Sequence, residues 1–251
     1  MRELIESALA QIEAEHQVRI LYACESGSRA WGFASADSDY DVRFIYVHSR
    51  DWYLSILDHR DVIEKMLPGD LDVSGWEIRK ALKLFRKSNP PLLEWLSSPI
   101  VYREDSVFTA RLRELMATYY SPGSCFRHYL HMAEGNVRGY LQGDVVRTKK
   151  YLYVLRPLLG CRWIEQERGP VPMEFEKLFA TVEDRVVLRA IEDLVEKKKS
   201  GTELEGGYRN EVLSGFIEAE LPRLTALPYV REAMRPVDEL DRLFRDVVKA
   251  T

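Results

Sequence analysis

A chain of 251 residues, 46% hydrophobic and 30% charged with a net charge of −4, has the make-up of a soluble globular protein of one large domain or two ordinary ones. That balance excludes a protein coated in basic residues for long nucleic acid, though not a local basic patch. No apolar run approaches the ~20 residues that span a bilayer, and the amphipathic N-terminus lacks a signal peptide's apolar block, so the expected location is cytoplasmic.

Leu4, Ile5, Ala8, Leu9 and Ile12 recur at helical spacing and predict an opening amphipathic helix. Ile20–Ala23 reads as a strand and is followed by a Gly27-Ser28 turn. Asp39–Val47, β-branched and aromatic after its polar start, reads as a second strand. Asp51–Leu57 looks like a short helix, and strands near Val62–Met66 and Leu71–Val73 complete one mixed sheet. Helices are expected over Trp76–Arg86 and Leu92–Leu96, the second stopped by Ser97-Ser98-Pro99. Tyr120-Ser-Pro-Gly-Ser124 is the best boundary, dividing residues 1–119 from residues 125–251. Beyond it Cys125–Gln142, Thr148–Glu167, Met173–Thr181, Glu183–Lys199, Leu204–Leu221 and Val237–Val248 read as helices, and no strand pattern is convincing. The fold class is therefore α+β, a small mixed-sheet head followed by a helical bundle that closes a cleft over it.

The chemistry sits in Leu21–Val47. On a strand, Asp39 and Asp41 share a face, and Tyr40, Val42, Phe44 and Tyr46 anchor the other. Two carboxylates held that close repel unless a cation lies between them. Mg²⁺ takes oxygen ligands and binds one or two protein carboxylates together with substrate phosphates. The alternative is a polar turn in which Ser38, Asp39 and Asp41 merely hold a loop. Gly27-Ser28 weighs against it, because glycine lets backbone amides approach a phosphate and the serine adds a donor. Arg29 offers a further phosphate contact.

A third carboxylate is expected in Pro68–Trp76, where Leu71 and Val73 face the core and Asp70 and Asp72 the other side. Asp72 is the better candidate, since Asp70 follows Pro68-Gly69 as a turn residue. In the second half, Arg138, Arg147, Lys149, Lys150, Arg156, Arg162 and Arg168 stand against Asp144, Glu165 and Glu167, which suits either a phosphate-binding wall or a solvated helix face. Lys149, Tyr153 and Arg156 fall on one helix face beside the core stripe of Tyr151, Leu152, Val154 and Leu155. Trp31 fits a base-stacking ring or a packing plug equally well. His128 and His131 are read as structural, Lys197–Lys199 as a helix end, and Cys24, Cys125 and Cys161 as buried free thiols without metal spacing.

Glu25–Phe33, Ser38–Tyr46, Leu71–Trp76 and Asn89–Pro99 resemble the DNA polymerase β-like nucleotidyltransferase superfamily, and within it the predicted nucleotidyltransferases typified by RNA-ligase-associated proteins. The resemblance covers the first hundred or so residues and continues, with less specific motifs, through Lys149–Pro157. It implies that Gly27 and Ser28 help hold a triphosphate, that Asp39 and Asp41 ligate both metals, and that Asp72 ligates the catalytic metal and assists deprotonation. Arg29, Lys149, Lys150, Tyr153 and Arg156 are the further nucleotide-binding candidates. The implied activity is transfer of a nucleoside monophosphate from an NTP such as ATP to an acceptor hydroxyl with release of pyrophosphate, using Mg²⁺ or Mn²⁺. The implied acceptors are an RNA end, a small molecule or a protein. A non-catalytic nucleotide- or RNA-binding module on the same core is the alternative.

Overall fold

A computed structural model describes residues 1–143, 145–201, 207–230 and 232–251, apart from the side chains at 145, 148, 207 and 208. The chain divides into two compact units, one of Met1–Ala30, Asp39–Tyr120 and Ala233–Thr251, the other of Trp31–Ser38 and Ser121–Glu232. These bounds differ from the expected 1–119 and 125–251 in two places. The last helix groups with the sheet, and the 31–38 loop groups with the helices.

The first unit begins with α1 (Arg2–His16), whose buried stripe is Ile5, Ala8, Leu9 and Ile12. It continues through β1 (Val18–Glu25), the short α2 (Gly27–Trp31, its last residue grouping with the second unit), β2 (Tyr40–His48), α3 (Arg50–Tyr53), β3 (Val62–Leu67) and β4 (Leu71–Glu77). Then come α4 (Ile78–Arg86), α5 (Pro90–Leu96), β5 (Val101–Glu104), α6 (Ser106–Tyr119) and, from the far end of the chain, α11 (Asp238–Lys249). The sheet order is β3-β4-β2-β1-β5; β2 and β4 run parallel and the other pairs antiparallel. A parallel neighbour needs a crossover, supplied here by α3, the following loop and β3.

Alternation along β2 sends Val42, Phe44 and Tyr46 into one core cluster with Leu71 and Val73 of β4 and the α1 stripe. Each large aliphatic side chain taken out of water there contributes about 1.5–3 kcal/mol before entropy is counted. On the other face, Ile45 and Val47 are also buried, and Trp76 of β4 stacks on Trp95 of α5 at 3.9 Å between centroids. Burial on both sides over residues 44–47 leaves Asp41 and Arg43 as half-buried polar positions near the start of β2, with His48 at its end.

Several boundaries depart from the sequence reading. Trp76 belongs to β4, and α4 starts only at Ile78, where the Glu77 carboxylate accepts the Arg79 and Lys80 amides. The expected helix over Asp51–Leu57 is confined to Arg50–Tyr53. Strand β5 and helix α6 were not foreseen, although Asp105 caps α6 by accepting the Val107 and Phe108 amides.

The second unit holds α7 (Pro122–Tyr140), α8 (Thr148–Glu165), a 3₁₀ helix (Phe175–Thr181) where a helix over Met173–Thr181 was expected, α9 (Arg185–Lys199) and α10 (Glu211–Thr225). Helix α10 starts later than the expected Leu204, with Asn210 accepting the Leu213 amide at 3.0 Å; residues 202–206 lie outside the described residues. Two-residue strands β6 (Val145–Val146) and β7 (Gly207–Tyr208) pair antiparallel, too short to leave a sequence pattern. Among the described residues no helix is long and apolar enough to cross a membrane, and Cys24, Cys125 and Cys161 are buried free thiols.

Gly75 lets the Phe44 ring lie directly on β4, since a Cβ there would stand 2.2 Å from a ring carbon. Gly75→Ala should cost about 1–3 kcal/mol, the usual penalty for overpacking a filled core. Urea unfolding, with the midpoint lowered at unchanged slope, checks it.

Candidate active site

The parallel register sets Asp41 directly opposite Asp72. Neighbouring strands lie about 4.8 Å apart, so two carboxylates are presented side by side from the adjoining starts of β2 and β4. Arg43, two residues along β2 and on the face of Asp41, bridges them: one guanidinium nitrogen donates to Asp41 Oδ1 at 2.8 Å and to Asp72 Oδ2 at 2.7 Å. Its other terminal nitrogen donates to the Val42 and Asp72 carbonyls, both at 3.1 Å. Among the described residues, Asp41 Oδ2 and Asp72 Oδ1 carry no hydrogen bond.

The turn after β1 is built against this pair. Gly27 has φ +57°, and a Cβ added there would lie 1.9 Å from Asp41 Oδ2. Glycine is needed twice over, for the left-handed backbone and for the close approach. The Ser26 amide donates to the Asp41 carbonyl at 2.8 Å, and the Asp41 amide donates to Glu25 Oε1 at 2.8 Å. Glu25 is fully buried; its other carboxylate oxygen accepts from the Tyr102 hydroxyl, and its carbonyl accepts from the Ser98 hydroxyl at 2.7 Å.

Burial pushes the Asp41 carboxyl above the ordinary aspartate range; Arg43 pulls it back, while Asp72 and Asp39 push it up again. Glu25 is likewise raised, chiefly by burial, against the lowering hydrogen bonds from Tyr102 and the Asp41 amide. Asp39 is exposed, just ahead of β2, where its carbonyl accepts from Arg29 at 3.1 Å. The Arg29 guanidinium lies 3.6 Å from the Tyr40 ring centroid. Ser28 is half-exposed in α2. Asp70 sits in the β3–β4 turn with φ +54°, its carbonyl accepting the Tyr40 amide at 2.8 Å.

Of the expected carboxylates, the structure thus joins Asp41 to Asp72, with Asp39 nearby in charge but not in the hydrogen-bonded set. Among the described residues no three His, Cys, Asp or Glu side chains form a group able to hold a metal ion. The Asp41–Asp72 pair still fits Mg²⁺ in kind, because that ion takes hard oxygen donors and uses only one or two carboxylates when phosphates complete its shell.

The second-unit candidates form their own group. The Lys150 ammonium lies 3.8 Å from the Tyr140 ring centroid and 5.3 Å from that of Tyr153. Tyr153 packs edge-on to Trp31 at 6.3 Å, and the Arg156 guanidinium lies 4.8 Å from the Trp31 ring. Arg156 is only 4% exposed and donates to the Pro172 carbonyl at 3.2 Å, so it is held inside the unit and does not line a solvated face. The reason is that α8 is apolar nearly all round at this level. Lys149 is half-exposed. Asp144, counted among the opposing acids, lies outside the described residues. His128 and His131 are exposed on α7, with His131 bonded to the Arg127 carbonyl at 2.6 Å. Lys197–Lys199 occupy the last turn of α9.

Sequence reasoning missed Arg43, Glu25 and Tyr102. Arg43 had a signal, since Asp39-x-Asp41-x-Arg43 places all three on one strand face. Glu25 and Tyr102 had none, because their meeting depends on β1 pairing with β5.

A carboxyl raised by burial penalises the fold once ionised, and the penalty fades as pH falls through its folded pKa towards the ordinary 3.8. Asp41→Asn, which can still accept from Arg43, should therefore melt higher than wild type near pH 7.5. The gain should shrink steadily on acidification to pH 4, as thermal melts across that range would read out.

The described family with the RNA repair pathway DNA polymerase beta description (RlaP) matches residues 1–246. An uncharacterized Bacillus subtilis (strain 168) protein, YcgL, is 48% identical over 252 residues, covering 99% of this chain and 97% of its own. A nucleotidyltransferase-like protein from Exiguobacterium sibiricum 255-15, of known crystal structure, aligns over 98% of this chain and 80% of its own at 11% identity, with a TM-score of 0.33, an overlap too low to identify a fold. From the match over nearly its whole length, the chain belongs to the RNA repair pathway DNA polymerase beta family, a branch of the polymerase β-like nucleotidyltransferases.

Proposed function

We propose that the protein moves a nucleoside monophosphate from an NTP to a hydroxyl at an RNA end and releases pyrophosphate. The observation that carries this reading is the facing of Asp41 and Asp72 across parallel strands, with Gly27 packed on the Asp41 carboxylate. The family's RNA repair description favours an RNA end over the other acceptors.

In this reading Asp41 and Asp72, with Asp39 beside them, hold Mg²⁺ or Mn²⁺, and Arg43 fixes one oxygen of each carboxylate so that the other is left for ligation. When bound, the metal supplies Lewis-acid neutralisation of the phosphates and acidifies the attacking hydroxyl. The acceptor oxygen bonds to the α-phosphorus as the bond from that phosphorus to the bridging oxygen breaks. Pyrophosphate leaves with that electron pair, and the hydroxyl proton passes to the Asp72 carboxylate. The glycine at position 27 allows the backbone close approach to the triphosphate, and Ser28 and Arg29 add donors to it. Lys149, Lys150 and Tyr153 are the second-unit residues assigned to the nucleotide, with Arg156 fixing the Trp31 ring from inside that unit.

The test is pyrophosphate release by purified protein given each NTP, a single-stranded RNA with a free 3′ hydroxyl, and Mg²⁺. Wild type should turn over and should stop on chelation. Asp41→Asn and Asp72→Asn should each slow release at least about a hundred-fold, the equivalent of roughly 2.7 kcal/mol of barrier. Undiminished release by the Asp41→Asn/Asp72→Asn double variant would sink the assignment.

A further inference from the structure

Helix α4 buries Ile78, Ala81, Leu82 and Phe85, and apart from half-buried Leu84 what it leaves outside is basic: Arg79, Lys80, Lys83, Arg86 and, one residue beyond its end, Lys87. Arg79, Lys83 and Lys87 recur every four residues with Arg86 alongside, a row about 12 Å long at 1.5 Å per residue. A solvated charged face is the ordinary fate of such a row, but three features set this one apart.

The first is that most of its charge has no ion-pair partner. Lys80 pairs with Asp61 at 2.9 Å, whereas among the described residues no carboxylate pairs with Arg79, Lys83, Arg86 or Lys87. Elsewhere in this unit surface arginines are matched, as in Arg19–Asp105, Arg103–Glu13 and Arg113–Glu104. The second is shape. The row separates two grooves and contributes Arg79 and Lys83 to both, one of about 290 Å³ beside Trp52, Leu57 and His59, the other of about 270 Å³ beside Leu240 and Phe244. The third is that aromatic rings are interleaved with the cations: the Arg79 guanidinium lies 5.1 Å from the Tyr53 ring and 5.4 Å from the Phe244 ring, both half-buried. Two of the four acids that line the grooves are engaged. Asp61 holds Lys80, and the Glu77 carboxylate is buried on the Tyr53 hydroxyl and the first amides of α4, which leaves Asp58 and Asp241.

Unneutralised cations in a row, flanked by concave aromatic surface, suit a chain of phosphates carrying stackable bases. We propose that the outer face of α4 and its two grooves dock the phosphodiester backbone of a single-stranded RNA, away from the carboxylate pair. Asp72 and Arg79 are seven positions apart, along β4 and into the first turn of α4, so the docking row lies roughly 15–20 Å from the carboxylates, beyond the other end of β4. The choice of RNA as the polyanion rests on the proposed function; the charge and shape of the surface do not.

The experiment is fluorescence anisotropy of a labelled 20-nucleotide single-stranded RNA with the full chain, from 50 to 300 mM KCl. Lys83→Ala/Lys87→Ala should weaken binding about ten-fold or more at moderate salt and reduce the slope of log affinity against log salt by about 1.4, two contacts at roughly 0.7 each. Lys177→Ala/Lys199→Ala, which removes the same charge from the second unit, should leave both unchanged, and melting curves should show all variants folded. Equal affinity and slope for the α4 variant and wild type would overturn the proposal, as would failure of wild type to bind. Binding of polyglutamate but not RNA to this surface would overturn it in favour of an acidic protein partner. RNA affinity that depends on Lys83 without any pyrophosphate release sinks the transfer reading alone. Transfer with RNA affinity indifferent to Lys83 sinks this one alone.

Discussion

The carboxylate end of the sheet depends on the Arg43 guanidinium standing between two acids. Parallel register forces Asp41 and Asp72 to face each other. Two unit charges about 5 Å apart repel by roughly 3 kcal/mol at the effective dielectric of a partly buried site. One guanidinium nitrogen within 2.8 Å of both offsets this, and it does so from the same strand as Asp41, so the pair needs no distant element to stay aligned. The compensation is incomplete, since burial still keeps the Asp41 carboxyl above its ordinary range. A site that stays acidic and under-compensated has affinity in reserve for a further cation, which is what functional sites commonly retain at the expense of stability.

Behind that pair, the backbone makes the turn and the carboxylate one rigid piece. Ser26 donates to the Asp41 carbonyl while Asp41 donates to the Glu25 carboxylate, so residues 25 to 27 cannot move without carrying Asp41 along. Tyr102 and Ser98 then tie Glu25 to the segment around β5. Positioning to a fraction of an ångström is what phosphoryl-transfer chemistry asks of a protein that performs little covalent work itself.

What the sequence made legible follows from how local each signal is. The strand bearing Asp39 and Asp41, the helix of Ile5 to Ile12, and the preference for Asp72 over Asp70 all rest on periodicity within a few residues, and the α+β architecture emerges from them. Strand β5 has four residues with no full burial, so neither length nor alternation marks it. Trp76 reads as the start of a helix because an apolar residue beside a helical stripe fits either period, and only its pairing with Ile45 and Val62 decides. The grouping of α11 with the sheet unit was invisible for a different reason: an amphipathic helix declares that it has a buried face, not which surface covers it. Arg156 misled through its charge. On a helix face shared with Lys149 and Tyr153 it reads as solvent-facing, yet the residues on either side of it are so apolar that the guanidinium is enclosed against a carbonyl and a ring.

The distribution of charge along β2 and β4 bears on how a polyanionic substrate would reach the carboxylates at all. Asp39, Asp41 and Asp72 cluster at the starting ends of these strands, and on a chain of net charge −4 that end repels phosphates. A metal offsets the repulsion only within a few ångströms, because exposed charges are screened beyond about 8–10 Å at physiological salt. Binding energy for the rest of a nucleic-acid strand must then come from elsewhere on the protein, and interactions with non-reacting parts of a substrate are a recognised source of it. In the sheet unit Arg79, Lys83, Arg86 and Lys87, on α4 and just past its end, have no carboxylate partner among the described residues, and β4 leads into that helix directly. One strand would thus carry the reacting group at its start and lead to the docking row at its end, fixing their separation by its own length. In the proposed reading that division would keep docking cations from competing with a metal ion for the same carboxylates.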